Sequence, residues 1–177
     1  MPEFIMPLGD DKPAEYALQW QRATIGYFAK GYFEAMFFTD CEHGTFRADP
    51  NEDAADIGGR LWNPETQSNL PGDVTFAELA PETLAKIQRD CEAFQTANAA
   101  LLETAAALEP GSETFRYARN TLDDTRLGQL FWYARNGHGV SFEDDGNAPC
   151  LYALQEAAHH VGQADSYLGD DGLIYLG

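Results

Sequence analysis

The segment FWYARNGHG, residues 131–139, contains the residues whose types and spacing come closest to a chemical site. Gly137 and Gly139 flank His138, and glycine permits backbone angles or a close approach that other residues do not. A functional interpretation places Arg135 and His138 on an exposed rim that binds an anion or carries a proton. A structural interpretation, which we favour, has Arg135 capping carbonyl groups or pairing with an acid, while His138 hydrogen-bonds across a sheet.

The candidate binding residues extend from this segment into the acidic turn that follows it. Residues 143–146, Glu-Asp-Asp-Gly, could hold a divalent ion weakly, but they lack the ligand spacing of an EF-hand loop. Ser141 lies in a predicted strand and has no nucleophile elbow around it, so no catalytic residue is assigned. The predicted binding residues are Trp132, Arg135, Asn136, His138, Glu143, Asp144 and Asp145.

Four histidines and three cysteines are the remaining candidates for metal chemistry. Residues 41–43, Cys-Glu-His, put two potential ligands close together, and His159 could approach His138. Their spacing matches no zinc pattern, and the chain has no His-Glu-x-x-His sequence. It also has neither a Walker sequence nor a Gly-x-Gly-x-x-Gly sequence. We therefore predict no metal and no cofactor.

The charge of the chain is strongly negative, since 29 acidic residues stand against 11 lysines and arginines, giving a net charge of −18. Such a surface repels nucleic acids and anionic lipids and attracts basic proteins. The acids either form a recognition surface or only keep the chain soluble. The most apolar stretch, residues 23–38, contains Lys30 and Glu34 and is too short to span a bilayer. The N-terminus is not a signal peptide, and the odd number of cysteines favours a reducing compartment.

Helices must position most of these residues. The 177 residues, 44% of them hydrophobic, fit a single domain over 1–177. We predict a loose arm over 1–12, a helix from Pro13 to about Phe38, and a long acidic loop region over 39–74. Gly26 and Gly31 mark either close backbone contacts or a break in the first helix.

A second helix is predicted from Pro81 to Leu108, because apolar residues recur there at alternating intervals of three and four. This seam should pack inside the chain, although a dimeric coiled coil is the alternative. Asn98 interrupts the seam and needs a polar partner. The seam residues are Leu84, Ile87, Cys91, Phe94, Asn98, Leu101, Ala105 and Leu108.

The C-terminal part alternates between helical and extended patterns. We predict helical pieces over 112–136 capped by Gly137, a short strand over 138–142, an acidic loop over 143–149, a helix over 150–160 and a hairpin over 166–176. The apolar face of the helix over 150–160 should comprise Leu151, Leu154, Ala158 and Val161. The predicted fold class is therefore α+β, a small helical bundle packed with a short, mainly C-terminal antiparallel sheet.

Four sequence blocks resemble those of a family of short proteins encoded by tailed bacteriophages. The blocks are YFEAMFFTDCE, LAPETLAKIQRDCEAFQ, FWYARNGHGVSFEDD and YLGDDGLIYLG, and they occur in the family's order. The resemblance implies a small accessory protein made in the cytoplasm of the infected bacterial host. It brings neither an activity nor catalytic residues.

Three functional hypotheses follow, and we lean towards a non-enzymatic binding protein. In the first, the chain binds a basic host or phage protein, as an inhibitor whose acidic face imitates nucleic acid. In the second, it is a structural or regulatory interaction protein without mimicry, such as a homodimer. In the third, it is a small enzyme that uses His138 and neighbouring carboxylates. None involves direct binding to nucleic acid or a membrane.

Overall fold

The computed structural model describes residues 25–40, 70, 78–112, 114–115 and 121–177. The helices are α1 Tyr27–Asp40, α2 Pro81–Ala97, α3 Ala99–Ala106, α4 Asp124–Asn136, α5 Phe142–Asp145 and α6 Pro149–Val161, and the strands are β1 Ser166–Leu168 and β2 Ile174–Leu176. The prediction of an α+β fold, mostly helical with a small antiparallel sheet near the C-terminus, is confirmed.

The chain divides into two compact units. The helical unit comprises Thr24–Met36 and Pro81–Ala164, and the hairpin unit comprises Met1–Ala23, Phe37–Ala80 and Asp165–Gly177. The predicted arm over 1–12 and nearly all of the predicted loop region over 39–74 lie outside the described residues. The single domain over 1–177 stays a prediction. No helix in the described ranges is both long and apolar enough to cross a membrane.

Two glycines bring α1 and α4 into backbone contact in the helical unit. A Cβ atom on Gly31 would lie 1.9 Å from the carbonyl oxygen of Thr125, and one on Gly128 would lie 1.9 Å from that of Phe28. Real Cβ atoms essentially never come within 3.0 Å of another heavy atom, so neither position accepts a larger residue without a shift. The prediction of a close backbone contact is confirmed at Gly31. Gly26 instead directly precedes the first residue of α1.

A cluster of aromatic rings forms the centre of the helical unit. The rings of Phe94 and Phe131 stack with centroids 4.1 Å apart, and Phe28 lies 5.9 Å from Phe131. Phe142, at the start of α5, stacks 6.5 Å from Phe94. The rings belong to α1, α2, α4 and α5, so the seam of α2 packs inside the chain as predicted.

The long helix predicted from Pro81 is interrupted at Asn98, between α2 and α3. The polar partner that Asn98 requires is the carbonyl oxygen of Phe94, which accepts from the side-chain Nδ2 at 2.9 Å. The same carbonyl also accepts from the backbone N–H of Asn98 at 3.0 Å, so the side-chain bond is added to a helical backbone bond. Beyond Asn98, Leu102 is buried where the seam predicted Leu101, whereas Ala105 is buried as predicted.

Helix α4 begins later than predicted. Ser112, Thr114 and Phe115 are not helical, so the helix predicted from 112 is wrong over these residues. The Asp123 carboxylate accepts a hydrogen bond from the backbone N–H of Arg126 at 2.8 Å, which starts α4 at Asp124. Gly137 ends the helix with φ at +69°, as predicted.

The short strand predicted over 138–142 is wrong. Residues 138–141 form no strand, and Phe142–Asp145 make one helical turn in place of the first part of the predicted acidic loop. The Asp144 carboxylate accepts from the backbone N–H of Ser141 at 2.7 Å and from its hydroxyl at 3.0 Å. These bonds start a helix at the point where the alternation of apolar and polar residues suggested a strand.

Helix α6 and the hairpin agree with prediction apart from one side chain. Leu151, Leu154 and Ala158 are buried, whereas Val161, predicted on the same apolar face, is the last residue of α6 and is 43% exposed. In the hairpin unit, β1 and β2 pair in antiparallel register around the turn at residues 169–172. Ile174 also forms a parallel bridge with Leu79.

Candidate functional site

Arg135 is buried in the helical unit rather than on an exposed rim. Its side chain is 4% exposed. Nε donates to the carbonyl oxygen of Gly162 at 2.8 Å, and Nη1 donates to the Tyr32 hydroxyl at 2.9 Å and to Asp90 Oδ2 at 3.2 Å. Arg135 therefore binds a carbonyl and pairs with an acid, as the structural interpretation expects. Its contribution to partner binding stays a prediction.

Two side chains close to Arg135, those of Tyr32 and Cys91, are held in their uncharged forms by burial. Burial raises the pKa of the Tyr32 hydroxyl well above its ordinary value, although the nearby guanidinium acts in the opposite direction. Burial, together with the Asp90 carboxylate, also raises the pKa of the Cys91 thiol. Asp90 additionally accepts from Lys86 at 3.3 Å. The three hydrogen bonds of this buried cation connect α4 with Tyr32 of α1, Asp90 of α2 and the residue that follows α6.

Asn136 holds the same segment of chain as Arg135. Its Oδ1 accepts from the backbone N–H of Ala164 at 2.9 Å. Arg135 and Asn136 thus bind the chain on both sides of Gln163, just after α6 ends. Among the described residues, the Nδ2 atom of Asn136 is a buried side-chain donor without a hydrogen-bond partner.

Trp132 and His138 meet at the C-terminal end of α4. Trp132 is fully buried, whereas His138 is exposed. The His138 ring lies over Trp132 with centroids 6.1 Å apart and is edge-on to Tyr133 at 6.3 Å. The sheet across which His138 was expected to hydrogen-bond is not present at this position, because residues 138–141 form no strand.

The acidic residues of the predicted site lie near the opposite end of α4. The chain after α4 runs back along the helix, so Asp145 reaches Arg126, with 3.4 Å between Oδ1 and Nη2. Arg126 and Asn136 are ten residues apart, which is about 15 Å along a helix. The predicted binding residues therefore separate into Trp132, Arg135, Asn136 and His138 at one end and Glu143, Asp144 and Asp145 near the other.

Arg126 joins two acidic segments that are distant in sequence. Its backbone N–H binds Asp123 and its guanidinium binds Asp145. We refer to the five acidic residues of these segments as the Arg126 carboxylate cluster; they are Asp123, Asp124, Glu143, Asp144 and Asp145. Sequence reasoning missed Arg126, because its side-chain partner lies 19 residues away. The only local signal was the helix-cap spacing from Asp123.

The exposed charge of the helical unit is almost entirely negative. Its described part exposes nine carboxylates: Glu82, Glu92, Glu103, Glu109, Asp123, Asp124, Glu143, Asp144 and Glu156. Among the lysines and arginines of that described part, Arg89 alone is exposed. Lys86, Arg126 and Arg135 each pair with an acid, and Lys30 is half-buried over the ring of Tyr27. The exposed carboxylates therefore far outnumber the cations that could neutralise them.

No family model, curated protein or solved structure matches this chain. The resemblance to tailed-bacteriophage proteins therefore stays an expectation. Within the described ranges, no group of three or more histidine, cysteine, aspartate or glutamate side chains is arranged to hold a metal ion. The Cys-Glu-His segment at 41–43, whose side chains are potential metal ligands, lies outside those ranges.

Proposed function

We propose that this protein binds a basic protein through the Arg126 carboxylate cluster. The observation that carries the proposal is that two acidic segments meet at Arg126. Of the other lysines and arginines described in the helical unit, Arg89 is exposed, and the rest are buried, half-buried or paired with an acid. A concentrated negative surface attracts a positive one over distance and accelerates its association.

Several carboxylates of the cluster are held in place before any partner arrives. Asp123 binds the first turn of α4, Asp144 binds the start of α5, and Asp145 binds Arg126. Charges that are already fixed lose less conformational entropy on binding than freely rotating side chains. Asp124 and Glu143 are exposed in the first turns of the two helices, where negative charge is favoured by the helix dipole.

A basic groove that normally holds phosphates is the kind of partner that fits such a surface. Fixed carboxylates can occupy the positions of backbone phosphates, so we propose that the partner is a nucleic-acid-binding protein and that this chain competes with its nucleic acid. The resemblance to tailed-bacteriophage proteins adds the expectation of a host or phage partner in the cytoplasm of the infected bacterium.

The test compares two double variants that remove the same charge from different places. Asp124→Asn with Glu143→Gln neutralises two exposed cluster residues whose side chains make no hydrogen bond or ion pair within the described part of the chain. Glu92→Gln with Glu103→Gln neutralises two exposed residues on α2 and α3 and is the matched control. Tagged wild-type chain is used to capture partners from bacterial lysate at low salt, and the binding of each captured, purified partner is then measured with all three chains.

We expect the cluster variant to bind the partner more weakly than the control variant, and double-stranded DNA to displace the wild-type chain from it. Equal weakening by both variants would mean that total charge, rather than the cluster, attracts the partner. Binding that DNA does not displace would contradict the imitation of nucleic acid.

A further inference from the structure

The hairpin presents a pair of stacked tyrosines on one face. Tyr167 of β1 lies directly opposite Tyr175 of β2, so both side chains point to the same side of the sheet. Their ring centroids are 5.7 Å apart with 25° between the ring planes. The Tyr167 residue is 49% exposed.

The ring of Tyr175 is held in position by the turn. Its hydroxyl donates to Asp171 Oδ2 at 2.8 Å, while Asp171 Oδ1 accepts from the backbone N–H of Leu173 at 3.1 Å. These two bonds lower the pKa of Asp171 below its ordinary value, because they favour the ionised carboxylate. A Cβ atom on Gly169 would lie 2.7 Å from the Tyr175 ring, so a larger residue at position 169 would collide with the ring in this position.

The segment that carries the tyrosine pair is acidic. Asp171 contacts Tyr175, and Asp165 and Asp170 are also exposed in residues 165–177. No lysine, arginine or histidine occurs among the described residues of the hairpin unit. A cross-strand aromatic pair stabilises a hairpin by itself. That contribution does not require a half-exposed ring on an acidic hairpin, an arrangement that is complementary to a cation.

We propose that the Tyr167–Tyr175 face binds an arginine side chain in a basic peptide segment of a partner protein. The planar guanidinium stacks on the exposed face of Tyr167, and the nearby carboxylates compensate its charge. A lysine ammonium is more strongly hydrated and does not stack in this way, so the face should prefer arginine. No residue of this face belongs to the Arg126 carboxylate cluster, so either proposal can fail without the other.

The test is an NMR titration with two short peptides that differ in their cation. One peptide carries three arginines separated by glycines, and the other carries lysines at the same places. The resonances of the Tyr167 ring and of the Gly169 and Gly172 amides report binding at the hairpin, apart from attraction to the rest of the acidic chain. Tyr167→Leu removes the exposed ring, and Tyr152→Leu, at a 45% exposed tyrosine of α6, is the matched control.

We expect the arginine peptide to shift the hairpin resonances at lower concentration than the lysine peptide. Tyr167→Leu should weaken arginine binding roughly two- to five-fold, the size of an exposed cation–π contact, while Tyr152→Leu should not change it. The proposal is overturned by hairpin resonances that do not shift, by equal binding of both peptides, or by equal effects of the two variants.

A further variant serves where Tyr167→Leu disturbs the hairpin itself. Tyr167→Trp keeps an aromatic ring and enlarges the face that receives the guanidinium. Because tryptophan is the best cation–π acceptor, arginine binding at the hairpin should become tighter. Unchanged or weaker binding in this variant would also overturn the proposal.

Discussion

Replacing Arg135 with methionine separates the structural from the functional interpretation of the RNGHG segment. The substitution removes the charge and all three hydrogen bonds, leaving the Gly162 carbonyl and the buried Tyr32 hydroxyl without their donor. Removing one partner of a buried ion pair costs about 3–5 kcal/mol. Asp90 is 25% exposed and keeps Lys86, so we expect the lower end, about 3 kcal/mol of unfolding free energy.

The assay is urea unfolding followed by far-ultraviolet circular dichroism, supported by thermal unfolding. For a chain of this length, that loss corresponds to a melting temperature roughly 6–12 °C lower. Arg126→Met is the control, because its side chain is 35% exposed and its pair with Asp145 should contribute at most about 1 kcal/mol. A loss below about 1 kcal/mol in Arg135→Met would refute the reasoning and return Arg135 to the candidates for partner binding.

Three further predictions concern the packing and the titrating groups. Gly31→Ala should lower the unfolding free energy measured in urea by about 1–3 kcal/mol or more, since the added Cβ meets backbone atoms of Thr125. Gly26→Ala, whose Cβ would meet no described atom within 4 Å, should change it by less than about 1 kcal/mol. Equal effects of the two variants would contradict the close crossing of α1 and α4. Because folding raises the pKa of Tyr32, the contribution of Tyr32 to stability is intact below the unfolded pKa of about 10 and is lost as pH rises further. Above pH 10 the unfolding free energy of Tyr32→Phe should therefore fall less steeply than that of the wild-type chain. Parallel curves for the two proteins would contradict this. Folding lowers the pKa of Asp171, so its bond to Tyr175 is lost only as pH falls through that lowered value. An NMR titration of the Asp171 carboxyl should find a midpoint below 3.8 that moves upward in Tyr175→Phe. An unmoved midpoint would speak against the bond.

Local signals made the C-terminal part of the fold predictable. The glycine cap at Gly137 and the turn at residues 169–172 each depend on residues within one turn of chain, and both occur as expected. The strand predicted over 138–142 failed because the alternation of apolar residues there competes with a helix start. Ser141 and Asp144 have the spacing of a helix cap, and their hydrogen bonds determine the conformation.

The candidate site was only partly visible in the sequence, because contacts between distant residues shape it. Arg135 was recognised as a carbonyl-binding or acid-pairing side chain, but its partners Tyr32 and Asp90 lie 103 and 45 residues away. No spacing rule connects such positions. The acidic turn at 143–145 was identified, whereas its approach to Arg126 follows from the path of the chain back along α4.

The most direct measurement of the proposed function is the rate at which the captured partner associates with the chain as salt increases. Screening shortens the reach of charges to about 10 Å at 0.1 M salt, so electrostatic attraction appears mainly at low ionic strength. We expect the Asp124→Asn, Glu143→Gln variant to associate more slowly than the Glu92→Gln, Glu103→Gln variant at low salt, with their rates converging at high salt. Equal rates at every salt concentration would contradict a recognition surface centred on Arg126.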